Sequence, residues 1–441
     1  MLDHQQRREA LKIQLHWLVS HPCALLNRDT SGGPKTITYG GVERTRASSA
    51  CQKRAWREAG DHPFALVADE NSDTLTSRRA VRVRIAEPLA EAGYDVATIK
   101  AALWPFNNAL FPPAGTKTTR KKKSEPARDD VGTTSTNDPL PAARTESPFK
   151  EFDRNEPVVL GVSEINYIRE IVTEVLDQAS SPEKAAALAA ARVQDKAFAR
   201  NLKAIPQACG LLSAVFGRFT LGEMVSRMDS AVHVAHLMGT HQAQVEDDPF
   251  SVLEQLTDRG DGARQTGLLS EARLTSTVFY GYAVIDVGKL IENLSGLPRT
   301  EWREADLELA GEVVERLVHL IATVSPAARK TGTAAHAEAA VVIAEIGSYR
   351  NRSLHGAFET PCGPTVRDSL DAICEQMALS DQMYGQQELR WAASQVRGTA
   401  VPGANLVPLG TLAAELGERV RDHAGTVAAL PDPRARPARA A

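Results

Sequence analysis

Seven cationic side chains lie between residues 28 and 57: Arg28, Lys35, Arg44, Arg46, Lys53, Arg54 and Arg57. Only Asp29 and Glu43 oppose them, which leaves a local charge of +5. Lys53, Arg54 and Arg57 are spaced i, i+1, i+4 and are expected on one helix face. Gly32-Gly33 and Gly40-Gly41 would let backbone come close to a ligand. Ser48 and Ser49 add two hydroxyls where a helix begins, and helix N-termini attract anions. Charges strung over about thirty residues suit a chain of phosphates better than a single phosphate. The competing reading is a solvated basic face.

A second group is histidine-rich: His233, His236 and His241, with Asp247 and Asp248 downstream. On a strand, alternation puts His233 and His241 on one face and His236 on the other, which spoils a joint ligand set. No metal or other cofactor is therefore expected. The chain contains no G-x-x-x-x-G-K-[ST], H-E-x-x-H or G-x-S-x-G, so no catalytic residue is nominated. Its five cysteines include no C-x-x-C pair. That disfavours a zinc ribbon or a disulfide framework and makes a reducing cytoplasm the expected location. No run of about 18 apolar residues occurs, so no membrane association is expected.

These groups must be positioned by a chain of 441 residues, long enough for two to four domains. An apolar content of 43% excludes global disorder, and with aromatics at 5% the core must be mainly aliphatic. A net charge of -4 excludes binding of nucleic acid by bulk positive charge but not by a local basic stripe. Leu11, Ile13, Leu15, Trp17 and Val19 alternate with Lys12, Gln14, His16 and Leu18, so residues 11–19 read as a strand. Thr36–Tyr39 is a short extended piece, and a helix begins at Ser48 or Ser49. Residues 61–111 read as mainly helical, ending at Trp104-Pro105-Phe106. Residues 112–155 are rich in Pro, Thr, Ser and charge, with the basic run Arg120–Lys123, and read as a disordered insertion. Helices are expected at 163–178, 182–204, 301–323, 366–378 and 409–422. Strands are expected at 231–238, 275–286 and 341–343. Asp248-Pro249 has the signature of an N-cap followed by Pro at N1, so a short helix is expected from there to Leu256. The mixture points to an α+β fold.

The segments Leu26-Asn27-Arg28-Asp29, Pro34-Lys35, Tyr39-Gly40-Gly41 and Arg44-x-Arg46-x-Ser48-Ser49-x-x-x-Lys53-Arg54-x-x-Arg57 resemble the CasC family. That family is the backbone subunit of the type I-E CRISPR Cascade complex. Phe216-Gly217-Arg218-Phe219, Met228-Asp229, Val234-Ala235-His236, Thr240-His241-Gln242 and Phe279-Tyr280-Gly281-Tyr282-Ala283 extend the likeness over residues 11–290. The chain departs from the family pattern at Ala50, where Gln is usual, and at Gly281, where Arg is usual.

The resemblance implies a palm of ferredoxin-like (RRM-like) fold, a helical fingers lobe and an extended β-hairpin thumb. In this sequence the palm would take residues 1–60, 229–244 and 279–350. The fingers would take 61–228, the thumb 245–278, a helical C-terminal part 351–430 and a frayed tail 431–441. The implied function is to bind CRISPR RNA without catalysis. Copies would stack head-to-tail along the guide and present it to a target DNA strand, beside large, small, guide-end-capping and processing subunits. Arg28, Lys35, Arg44, Arg46, Ser48, Ser49, Lys53, Arg54 and Arg57 become candidate contacts to the RNA backbone. Phe219 matches an apolar wedge against bases, and Phe250 with Ser251 matches an aromatic-plus-hydroxyl pair on the thumb. Two alternatives are a nuclease using Asp29 or Asp261, and a standalone RRM-like RNA-binding protein.

Overall fold

The alternating segment near the start of the chain is a strand, and it extends beyond its alternation: β1 spans Lys12–Ala24. The computed structural model describes residues 11–59, 74–111, 147–204, 210–218, 228–253, 266–297, 301, 307–328, 330–347, 350–386 and 388–430. After β1 come β2 (Thr36–Tyr39), β3 (Val42–Ala47), β4 (Thr74–Ser77), β5 (Val158–Gly161), β6 (Val232–Val234) and β7 (Leu237–Gly239). They are followed by β8 (Val245–Leu253), β9 (Thr266–Asp286), β10 (Ala339–Gly347), β11 (Leu389–Ser394) and β12 (Ala404–Leu406). The chain divides into two units. One comprises Met1–Glu70, Leu211–Gly217 and Met228–Ala441, the other Asn71–Gly210 and Arg218–Arg227.

The first unit is built on one sheet of order β12-β11-β10-β1-β9-β7-β3-β2, with β6 and β8 also paired to β9. Its pairings are antiparallel except for β11 with β12. Along the edge away from β1, the 21 residues of β9 serve three partners in turn: β8 beside 266–275, β7 beside 279–280 and β6 beside 283–285. β1 pairs with β9 only as far as Ala24 opposite Thr275. The far half of β9 therefore forms a hairpin with β8 alone. The expected helix from Asp248 is replaced by this strand. Pro249 lies opposite Glu271, and an edge strand tolerates a residue that cannot donate to the ladder.

Both faces of the sheet are covered. Ile13, Leu15, Trp17, Phe279, Ile285 and Ile346 pack under the helices Val287–Ser295, Leu307–Thr323 and Leu409–Arg421. Leu18, Val278, Tyr280 and Ile343 face the helix Val366–Tyr384 through Leu370, Ile373 and Met377. The polar half of the β1 alternation is therefore buried rather than solvated, and its groups must find partners inside. Gln14 Oε1 accepts from the Tyr282 hydroxyl and the Arg352 backbone N–H, both at 2.7 Å. His16 meets the Tyr280 hydroxyl at 2.8 Å and the Glu345 carboxylate at 3.3 Å. Glu345 also accepts from Arg390 at 2.6 Å and from Arg352 at 2.7 Å, and Arg390 reaches on to Asp381. Burial alone would raise the Glu345 pKa, but its bonds from His16 and Arg352 hold it well below the usual carboxylate range.

Trp17 lies opposite Gly281 in the register, and a Cβ on Gly281 would stand 2.1 Å from the Trp17 ring. This explains why Gly281 stands where the resemblance expects Arg: the indole occupies the space.

The second unit has its own core. Its helices are Glu87–Glu91, Val96–Leu110, Val162–Gln178, Pro182–Gln194 and Lys196–Ala204, with a π-helical turn at Arg82–Ala86. Ile165, Ile168, Val172 and Val175 face inward as their spacing requires. The helix expected to end near Pro105 runs on to Leu110 with the proline inside it. The Ala-rich helix is broken at Asp195, whose carboxylate accepts from the Ala197 N–H at 2.8 Å. Of the expected insertion, 112–146 lies outside the described residues, whereas Phe149 and Phe152 are core residues. Those two aromatics give 147–155 an apolar anchor that its polar composition conceals. Arg218 and Glu164 form a buried bidentate pair. No described helix is long and apolar enough to cross a membrane.

Two predictions follow from this packing. Gly281→Ala should destabilise the protein by about 2 kcal/mol through overpacking against Trp17, read as a lower urea midpoint at unchanged slope. His21 is buried beside Ser325, and burial lowers its pKa to about 4. Burial likewise lowers His355 to about 4. Both take up a proton more readily when unfolded. Their contribution is thus fully present above pH ~6.5 and is lost as pH falls through about 4. Unfolding at pH 7.5 and pH 5 should differ by about 1–2 kcal/mol for each histidine, and His21→Gln should remove its share.

Candidate nucleic-acid interface

Asn27 organises the basic stretch. Its carbonyl accepts from the Lys35 N–H at 2.9 Å, and its side-chain oxygen accepts from the Ser48 N–H at 3.0 Å. One residue thereby ties the end of the 27–35 loop to the start of the helix Ser49–Arg57. Ser48 is the N-cap of that helix, its hydroxyl accepting from the Cys51 N–H at 3.3 Å. Asp29 shapes the loop: one carboxylate oxygen accepts from the Ser31 N–H, the Ser31 hydroxyl and the Gly33 N–H within 2.9 Å. These bonds, led by the Ser31 hydroxyl, lower its pKa. Asp29 thus serves as a loop cap.

The cations divide by environment. Lys53 Nζ lies 5.9 Å and Arg57 Cζ 5.1 Å from the centre of the Phe216 ring, which is stacked in turn on Trp56. Burial lowers the pKa of both, and Arg57 lowers that of Lys53 further. Among the described residues neither pairs with a carboxylate. Arg54, expected on the same face, instead pairs with Glu58 at 2.8 Å and is mostly exposed. One residue of helix rotation, about 100°, separates it from Lys53.

Arg44 is 0% exposed and donates to three backbone carbonyls, those of Tyr39, Gly239 and Phe358. Its guanidinium holds the β2–β3 turn to the chain beyond and is closed off from any ligand. Gly40 belongs to the same seam: its φ is +60°, and a Cβ there would stand 1.7 Å from the Glu359 carbonyl oxygen. The close backbone approach expected toward a ligand is made here toward the protein itself.

Arg46 is half-buried, with Nε donating to the Thr36 carbonyl at 3.2 Å and Nη1 reaching His236 Nδ1 at 3.2 Å. Lys35 is near enough to His236 and Cys51 to influence the titration of both. Arg28 donates to the Ala328 carbonyl at 3.2 Å. Ser49 opens the helix beside Ser48. Lys35, Arg46, Ser48, Ser49, Lys53 and Arg57 thus gather around the loop and helix that Asn27 joins. Asn27 stands in the matched motif but carries no charge, so a search for phosphate ligands passes over it.

Phe250 and Ser251 lie on β8, opposite Ser270 and Leu269 of β9. Phe250 is 36% exposed on the hairpin rather than buried in a core. Phe219 and the turn Gly260-Asp261-Gly262 lie outside the described residues. The histidines do not converge. His241 is buried, with Nδ1 at 2.9 Å from the Gln242 carbonyl and Nε2 accepting from the Val278 N–H, while His233 and His236 are exposed. Among the described residues no group of three or more His, Cys, Asp or Glu could hold a metal ion.

A family model described as CT1975-like protein matches residues 13–418. A chain of a solved structure described as "CRISPR RNA-guided surveillance complex, pre-nicking" is similar, with 21% identity and a TM-score of 0.70 over 93% of this chain and 100% of that one. A chain of a second, described as "CRISPR RNA-guided surveillance complex", has 20% identity and a TM-score of 0.61 over 92% of this chain and 99% of that one. At these identities the likeness is one of fold. No curated protein matches the chain.

The contrast between Arg44 and Lys53 can be measured. Arg44→Met leaves three buried carbonyls without their donor and should cost about 2–3 kcal/mol of stability in urea unfolding. Lys53→Ala should stay within about 0.5 kcal/mol of the parent.

Proposed function

The chain belongs to the CT1975-like protein family, and on that premise we propose that it is a CRISPR RNA-binding backbone subunit of a Cascade complex of type I-E. It is non-catalytic and works in the cytoplasm. Copies line up head-to-tail along one guide and present the spacer for pairing with target DNA. Large, small, guide-end-capping and processing subunits complete the complex.

The observation that carries this reading is the pair Lys53 and Arg57: both laid on Phe216, Lys53 half-buried and Arg57 more exposed, with no described carboxylate partner. Cations held against an aromatic face without a counter-charge favour an anionic ligand. Phosphate contacts give affinity independent of sequence, which a subunit that must accept any guide needs. Base pairing is left to read the sequence, as in other RNA-guided systems.

The fold supports the same reading. The order β10-β1-β9-β7 in antiparallel succession, with a helix after β1 and helices between β9 and β10, suits a ferredoxin-like palm. The β8–β9 hairpin with its exposed Phe250 suits a thumb whose aromatic contributes stacking against bases, about 1–3 kcal/mol per base. The helical second unit suits the fingers.

The test is RNA binding by the full chain. The purified protein should carry protected RNA. Lys53→Glu combined with Arg57→Glu should abolish assembly on a guide at moderate salt while leaving the fold intact. Neutralising each cation singly should reduce the slope of log K against log salt by about 0.7. Normal assembly of the charge-reversed protein would refute the reading.

A further inference from the structure

His236 sits between β6 and β7, its backbone held in place: the preceding Ala235 donates to the Tyr282 carbonyl at 2.8 Å and accepts from Gln52 Nε2 at 2.9 Å. The ring is exposed, yet it has one firm partner, Arg46 Nη1, 3.2 Å from Nδ1. A guanidinium can only donate. Nδ1 must therefore be the acceptor, and the neutral ring carries its proton on Nε2. Among the described residues Nε2 has no hydrogen-bond partner. Partial desolvation on the side facing the protein, then the charges of Arg46 and Lys35, lower the His236 pKa, which favours the neutral ring at physiological pH.

We propose that His236 contacts a phosphate of the bound RNA strand, donating through Nε2–H from a tautomer set by Arg46. Lys35 and the remaining donors of Arg46 supply the charge around that phosphate, while His236 supplies a directed neutral hydrogen bond. This contact rests on the RNA-binding reading above and adds to it a ligand that a census of charged residues does not contain. It also gives Arg46 two roles: its own charge faces the phosphate, and one of its N–H groups fixes the ring beside it.

A neutral donor releases no counterions, whereas a lysine does. The two kinds of contact therefore differ in a salt titration. The experiment uses the full chain and a fluorescein-labelled oligouridylate, with anisotropy read at pH 8 over a range of salt and melting curves as a control on folding. His236→Leu should weaken binding about tenfold, as expected for a hydrogen bond to a charged group, with the salt slope unchanged. His236→Gln places an amide N–H near the position of Nε2 and should bind within about threefold of the parent. Lys35→Ala should weaken binding and reduce the slope by about 0.7. If His236→Leu binds like the parent while Lys35→Ala is impaired, the histidine contact is wrong and the RNA-binding reading stands. Equal loss in the Leu and Gln variants would make the ring a packing element, and a reduced slope in His236→Leu would make it a bound cation. Either result overturns the proposal. If Lys35→Ala and the Lys53/Arg57 charge reversal also leave binding intact, the RNA-binding reading fails as well.

Discussion

A strand covered on both faces has no side exposed to water, and much of the first unit follows from that constraint on β1. Gln14 and His16 alternate with apolar residues, so they face the helix Val366–Tyr384 rather than solvent. Leaving such groups unpaired would cost about 1–3 kcal/mol each. The fold meets the demand by aligning Tyr280 and Tyr282 on β9 and Glu345 on β10 beside them, with Arg352 and Arg390 around Glu345. The strand order is thereby coupled to specific polar contacts. A one-residue slip of β1 against β9 would take His16 from Tyr280 and Gln14 from Tyr282.

The basic edge is a continuation of the same strand. β1 ends at Ala24, and three residues later Asn27 turns the chain into the loop that carries Arg28 and Lys35. The bonds of Asn27 to Lys35 and Ser48 give the loop and the helix a common anchor. The cations at this edge differ in freedom because their surroundings differ. Arg44 is consumed by backbone carbonyls, Arg54 is neutralised by Glu58, and Lys53 and Arg57 lie against the Phe216 ring with no described carboxylate partner. Charge counting treats the four alike, and geometry separates them into one fold anchor, one solvated ion pair and two groups suited to an anion.

What could be read from the sequence depended on whether local pattern and tertiary context agreed. The β1 alternation, the inward face of Val162–Gln178 and the N-cap at Ser48 are local signals, and each appears where its residues indicate. β3 and β11 were not anticipated, and both have an arginine at a fully buried position, Arg44 and Arg390. A pattern search expects apolar residues there and cannot tell an arginine that meets carbonyls or carboxylates from one that meets water. Asp248-Pro249 carries a sound helix-start signal, but β9 offers a continuous ladder beside it and pairing outweighs the cap. At the candidate site, the charged residues were legible by type, whereas the roles of Asn27 and His236 arise from contacts between segments about 20 and 190 residues apart in the chain.

On the proposed function, the placement of Lys53 and Arg57 bears on how one surface would serve every guide. A fully solvated lysine gains little from a phosphate, because water already screens the pair. A cation fully enclosed by protein would need a permanent counter-charge to be tolerated. Laid on the Phe216 ring, the two groups occupy the middle ground: the ring face offers cation–π attraction in place of part of the water, and none of the contacts reads a base. No residue of the described chain neutralises them in advance. Under the function proposed above, such a surface suits the backbone of any strand and leaves the bases free to pair.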